Sequence, residues 1–467
     1  MRNIKIKVTP ATLAKSLLLI SSALVLAPSS AQACTNYYVA TTGNDKAAGT
    51  LAAPWKSIAV ASKKIQACDT LNIRGGTYTA INIILPQIGT ATTPTIVQPY
   101  NNETVIIDGT GTGYTTFEPI FNVTGQYITI TNFEIRNGGS GVFLAGNYNT
   151  ANNLTVHHNR SNGILAQGDY SVVENSTIYQ NCLSHYYYLT NQANGTASWG
   201  SGLSAARNPV TGITFRATLK NNTVYNNWGE GLSTYEANGT TITNNVVYDN
   251  LKTNTYISNA ANVIFSYNLV YNTPGNVVGV QAAGLSLADE LSNTLLSSNN
   301  IMLNNNFLNA DVSLFSWTLV PNSGLVNANF SNNSIINGEL KCGLINQSSV
   351  VQNNIFYRND GGILGNLFTF NGLTFTKNLW SSKNLYSYVP NIISPNDKVG
   401  NPLFTLYGPT GPGQLSRDYF NLQANSPVWS QGTTVYDVNG AGVVSTNTSL
   451  VNIGAYPLPL APFTIAQ

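Results

Sequence analysis

Five side chains near the middle of the chain could carry acid–base or charge-stabilising chemistry: Arg207, Glu230, Glu236, Lys252 and Tyr256. Arginine and lysine hold a carboxylate or steady developing negative charge, and a tyrosine hydroxyl can hand over a proton. Arg207 and Glu236 stand just past two equivalent segments, Gly202-Leu-Ser-Ala-Ala and Gly231-Leu-Ser-Thr-Tyr, with Tyr235 and Tyr256 beside them. Glu230, Asp249 and Lys252 are expected to gather at the other end of the same segments. The plain structural alternatives are a weak ion pair for Arg207–Glu236 and a solvated corner for Glu230, Asp249 and Lys252. Hydrolysis of a glycosidic bond needs two carboxyl groups about 5 to 9.5 Å apart. Glu230 and Glu236 bracket one extended segment and would be about 20 Å apart at ~3.3 Å per residue. Glu230 with Asp249 is geometrically possible, although nothing in the sequence marks that pair. Around these groups, His185, Tyr186–Tyr188, Trp199 and Trp228 cluster with Tyr235 and Tyr256. Aromatic rings beside polar groups offer flat surfaces for sugars.

Other constellations carry less. His157 and His158 are adjacent, and neighbours on a strand face opposite sides, so they are not expected to share a metal ion. His157 fills a slot held by Tyr elsewhere and reads as a stacking residue. Gly109-Thr-Gly-Thr-Gly lacks a following helix pattern and makes a poor phosphate cradle. No Asp-Asp pair occurs anywhere in the chain.

The elements that position these groups follow from a repeated phrase. It reads Asn175-Ser-Thr-Ile-Tyr-Gln-Asn181, Asn221-Asn-Thr-Val-Tyr-Asn-Asn227 and Asn244-Asn-Val-Val-Tyr-Asp-Asn250. Tyr267-Asn-Leu-Val-Tyr-Asn-Thr273 continues it, and fainter copies place Arg136, His157, Leu303, Ile336 and Tyr357 at the Tyr position. A period in the low twenties, broken by longer steps, marks a solenoid with loop insertions. The long step before Tyr225 predicts an insertion over about 183–201, and smaller ones are expected near 278–290 and 311–325. Within the strand after each phrase, Phe143, Ile164, Leu232 and Thr255 are expected to point inward and Leu165, Ser233 and Tyr256 outward. Pro54 is expected to open a short amphipathic helix carrying Trp55, Ile58, Ala61 and Ile65.

Composition narrows the class. Charged residues make up 9% of the chain, against about 25% in ordinary domains. Stacked Asn side chains, bonding rung to rung, account for the deficit. Residues 1–33 read as a signal peptide, with Arg2, Lys5, Lys7 and Lys15, an apolar run, and Ala31-Gln-Ala33 before the cut. Without them 17 basic residues face 19 acidic ones, so no basic stripe is left for nucleic acid. No later apolar run is long enough to span a membrane. The mature chain is expected to be secreted, periplasmic or on the cell surface, with lipid anchoring at Cys34 the less favoured reading. Cys34 and Cys68 both fall in the N-terminal cap and could join in a disulfide. Cys182 and Cys342, about five rungs apart, are expected to stay reduced and buried.

The start Tyr37-Tyr-Val-Ala-Thr-Thr-Gly-Asn-Asp45, the Pro54-Trp-Lys-Ser-Ile58 helix and Asp69-Thr-Leu…Arg-Gly-Gly-Thr-Tyr78 resemble secreted right-handed parallel β-helix proteins of the pectate-lyase-like superfamily. The tail, Asn401-Pro-Leu-Phe…Ile-Gly-Ala-Tyr456, is similar to their C-terminal end. The resemblance implies an all-β, right-handed parallel β-helix, with a helical N-terminal cap over 34–80, a solenoid to 400 and an irregular C-terminal cap over 401–467. It also implies activity on an acidic, uronate-containing polysaccharide, with Lys252 or Arg207 as base or carboxylate neutraliser and Tyr256 as acid. Calcium is possible by family analogy, although the clustered aspartates that would hold it are missing, as are the Asp-pair and Gly-His-Gly signatures of polygalacturonase-like hydrolases. The alternative is a non-catalytic glycan-binding or envelope and adhesion protein. A monomer is expected, with a polysaccharide or cell-surface glycan as partner.

Overall fold

The computed structural model describes residues 33–467 apart from 113–116, 194, 198, 276–282, 293, 316–319, 344–345, 368–371, 386–391, 430, 432–453 and 456–467. Residues 1–32, and with them almost all of the expected leader, lie outside the described residues. Short parallel strands stack into three long sheets, two of 13 strands and one of 12. The chain visits them in turn. Val172–Glu174 lies in the first sheet, Thr177–Tyr179 in the second, and Ser201–Ala205 in the third.

The corners explain the asparagine. Asn132, Asn153, Asn175, Asn221 and Asn244 all adopt a left-handed backbone with φ between 50 and 66°, which Asn tolerates better than other non-Gly residues. The next residue in several copies is an inward Asn. Asn222, Asn245, Asn268, Asn305, Asn333, Asn354 and Asn378 are all buried. Each of the first six donates from Nδ2 to Oδ1 of the next, at 2.9–3.1 Å. At Asn378 the row ends: its side-chain amide donates to Val351 O, while Asp397 Oδ1 accepts the Asn378 backbone N–H and Asp397 Oδ2 the Trp380 indole N–H, both at 2.9 Å. A second inner row runs Asn159, Asn181, Asn227, Asn250, Asn254 and Asn272. On the outer face of the second sheet His157, Tyr179, Tyr225, Tyr248 and Tyr271 stack with ring centroids 4.8–5.1 Å apart. His157 is therefore the stacking residue its slot predicts.

Three details differ from the sequence reading. Leu303 belongs to the first sheet, paired with Ser266, and Leu308 is the residue that continues from Tyr271. Two Asn clusters, 299–300 and 304–306, both fit the repeat phrase, and the second is the equivalent corner, which makes the steps 37 and 28 residues. Ala283–Ala288 and Val312–Leu314 are consequently strands of the third sheet rather than insertions. Phe143 faces outward beside Leu165 and Val142 faces in, because that corner is one residue shorter. The N-terminal helix begins at Ile58, capped by Ser57, whose side chain accepts from Val60 N. Pro54 precedes it, and Trp55 pairs through its backbone with Val39 instead.

Cys34 and Cys68 are joined as a disulfide, while Cys182 and Cys342 are free and buried. The helix packs on the strand Ile83–Leu85 at the start of the solenoid. At the far end, Phe404, Leu415, Phe420 and Val428 run back along the second sheet and cover Tyr248, Tyr271, Leu308, Ile336 and Ile355. Gly413 N donates to the Tyr271 hydroxyl at 2.9 Å. No described helix is long and apolar enough to cross a membrane.

Candidate active site on the third sheet

The two longest strands among the described residues, Glu230–Asn238 and Thr253–Ala261, lie side by side in the third sheet. Leu203, Leu232 and Leu285 point into the core along the same register as Thr255. The next position outward reads Ser204, Ser233, Tyr256, Ser286 and Ser313 in successive rungs, followed by Lys341. Small hydroxyl side chains flank Tyr256 on both sides.

Tyr256 donates its hydroxyl to Glu290 Oε1 at 2.7 Å. Burial, then the bond and charge of Glu290, hold the phenol well above its usual range. Glu290 itself is exposed. It follows the buried Asp289, which is bonded to Asn259 N and to the Ser297 hydroxyl and so anchors the loop. Glu230 is partly buried; its Oε2 accepts from Ser201 Oγ at 3.0 Å. Ser201 Oγ lies 2.9 Å from Ser233 Oγ, which donates to Ser204 Oγ at 2.8 Å. Burial pushes the Glu230 carboxyl up to about 7; the serine hydroxyls oppose the shift and the Glu290 charge adds to it. A carboxyl near neutrality is suited to proton transfer.

Arg207 meets Glu236 at 3.4 Å across the rung, with the guanidinium side chain 60% exposed and the carboxylate buried. Tyr235 stands next to them, its hydroxyl held high by burial and by Glu236. The structure therefore brings Glu230, Tyr256, Tyr235, Glu236 and Arg207 onto one face. Asp249 is elsewhere: it sits at the corner past Tyr248 with φ 55° and accepts from Thr273 N at 2.7 Å. Asp249 thus drops out of the expected gathering, Lys252 stays next to Glu230 through its N–H to Gly229 O, and the second carboxylate acting on Glu230 is Glu290. Glu290 was missed in the sequence because the slipped repeat at Leu303 hid the strand that precedes it.

Lys252 rests on the aromatic insertion, its Nζ 4.5 Å from the Trp199 ring centroid. That insertion carries a second helix, Leu183–Leu189. His185 is buried 5.0 Å from Trp199, and Tyr186 lies 4.3 Å from Trp228. The outer face of the second sheet holds a further surprise. His158 leaves its strand with φ 57°, which swings its Nδ1 to 2.6 Å from that of His157. Strand parity does not separate the two rings, because the strand ends at His157.

Calcium takes six to eight oxygens, with several carboxylates. Around Tyr256 the donor set is single carboxylates amid serine hydroxyls already engaged with each other, and among the described residues no three His, Cys, Asp or Glu side chains group to hold a metal. The residues present do not fit that ion.

Three parallel sheets wound into one solenoid, with a polar outward row on the third, define a pectate-lyase-like β-helix protein. The chain belongs to the Pel9A-like right-handed β-helix family, whose model matches residues 37–306. It is 47% identical to pectate lyase PEL9 of Emericella nidulans over 73 residues, which is 15% of this chain and 18% of that one. The crystal structure of pectate lyase Pel9A superposes with a TM-score of 0.52 at 18% identity, over 90% of this chain and 96% of that one. XylC in complex with xylose gives a TM-score of 0.52 at 12% identity, over 79% and 87%. At these identities the structural matches speak for the fold.

Proposed function

We propose that the protein acts on a polysaccharide by lyase-type elimination, at the outward face around Tyr256, with a uronate-containing chain as substrate. The single observation that carries this reading is the Tyr256–Glu290 hydrogen bond, with Glu230, whose carboxyl burial pushes up to about 7, beside it. In this scheme the exposed Glu290 carboxylate takes the proton from the carbon next to the uronate carboxylate, with Tyr256 fixing its position. The electron pair forms the new double bond as the glycosidic C–O bond breaks, and Glu230 protonates the departing oxygen. Arg207 faces the uronate carboxylate. The pectate lyase relative supports this reaction class. Export is supported by the Cys34–Cys68 disulfide, a feature of oxidising compartments. A sulfur engaged in that bond is not available for lipidation.

A second reading is hydrolysis, favoured by the Glu230–Glu290 pair itself, in which a raised carboxyl would be the acid and its partner the carboxylate. The purified chain should be given a panel of uronate-containing and neutral polysaccharides, with unsaturated-product absorbance and new reducing ends followed together. Elimination predicts that both rise on uronates, and that Glu290→Gln and Tyr256→Phe each lower the rate by about 10²-fold or more. Reducing ends without unsaturation would establish hydrolysis. Silence on both with the fold intact would leave a glycan-binding or envelope role.

A further inference from the structure

Trp199 is an unusual residue to find half-exposed, at 51%, on a protein with so few charges. Its indole is flanked by the Lys252 ammonium at 4.5 Å and the His185 ring at 5.0 Å. Among the described residues Lys252 forms no ion pair. The charge of Lys252 is felt by His185, which burial first and Lys252 second keep below its usual range. Lys252 is thus the charge that a ligand on Trp199 would meet. Tyr188 is half-exposed on the same short helix, 6.0 Å from His185. Lys252 N bonds to Gly229 O, the residue before Glu230. The insertion therefore borders the face described above at the Glu230 end.

We infer that Trp199 and Lys252 form a separate subsite for one carboxylated sugar residue of an extended chain, the indole taking the pyranose ring and the ammonium its carboxylate. This rests on the polysaccharide reading above and adds what selects the substrate: an acidic residue bound away from the reacting bond. A cation resting on an exposed aromatic face is weakly held, and a carboxylate offers it a stronger, charge-assisted partner. A neutral sugar would gain the ring contact alone.

The test is calorimetric titration of the full chain with a hexameric oligogalacturonide and with the same oligomer after carboxyl reduction. Lys252→Met keeps the aliphatic stem over Trp199 and removes the charge. It should weaken the acidic oligomer by about 10-fold, the scale of one charge-assisted bond, and leave the neutral one unchanged. Trp199→Ala should weaken both. A Lys252→Met variant that binds the acidic oligomer as tightly as wild type, or loses both oligomers equally, overturns the subsite. If the wild-type chain binds neither oligomer, the subsite falls together with the polysaccharide reading. If binding persists in Lys252→Met while Glu290→Gln still abolishes turnover, the subsite alone falls. Thermal melts of both variants establish that the fold is retained.

Discussion

At the scale of single residues, two buried titrations pull stability in opposite directions. His157 and His158 are held below their usual range by burial, with the second ring and Arg136 adding to it. In the unfolded chain they take up protons near pH 6.5, while the folded chain resists them. Their contribution is therefore present above about pH 6.5 and lost as pH falls through the lower folded values. Melting temperature should drop between pH 7 and 5, and His158→Gln should flatten that drop. Glu230 has the opposite sign. Its folded value of about 7 lies above the ordinary 4.5, so its contribution is full below pH 4.5 and lost as pH rises through 7. Glu230→Gln should melt higher than wild type at pH 8 and lose that advantage toward pH 5. A variant that melts lower than wild type at pH 8 would show that the carboxyl is neutralised by a partner instead of buried at a cost.

At the scale of elements, the asparagine rows separate support from decoration. Asn245 receives the Asn222 amide, donates to Asn268 and also bonds the Leu219 carbonyl. Asn245→Ala should cost about 1–3 kcal/mol, because buried partners lose their bonds. Asn153, which donates to Asn132 in solvent, should tolerate Gly within about 0.5 kcal/mol, since Gly keeps the left-handed corner. Denaturant melts of the two variants distinguish these outcomes. The same rows explain what the sequence disclosed. Periodic Asn and the apolar pair between them encode corner and strand, so the solenoid, the Tyr stack and the outward placing of Ser233 and Tyr256 were legible. Where Asn occurs twice within one rung, at 299–300 and 304–306, the phrase is degenerate and the phase slipped. Glu290 was lost with it. The left-handed turn at His158 was equally hidden, because a backbone angle at a strand end decides which way a side chain points, and composition does not record it.

At the scale of the molecule, a solenoid is held by contacts between neighbouring rungs, so its ends open first. The Cys34–Cys68 disulfide ties residues 34 positions apart across the N-terminal end. Closing a loop of that length is worth about 3–4 kcal/mol in the chain-entropy account. Reduction, or Cys34→Ser, should expose the first strands to amide hydrogen exchange well before the central rungs. Uniform protection along the chain after reduction would contradict this. The inner asparagine row has a consequence of its own. Every side-chain amide from Asn222 to Asn354 turns its oxygen toward the N-terminal end and gives one N–H to the next rung on the C-terminal side, its other N–H going to a backbone carbonyl of the rung before. Their dipoles add head to tail, as peptide dipoles do in a helix. The solenoid is thereby polarised along its axis, positive where the last N–H groups emerge. That is where Asp397 stands, a negative charge closing a line of partial positive ones, and it gives the growing stack a defined last rung.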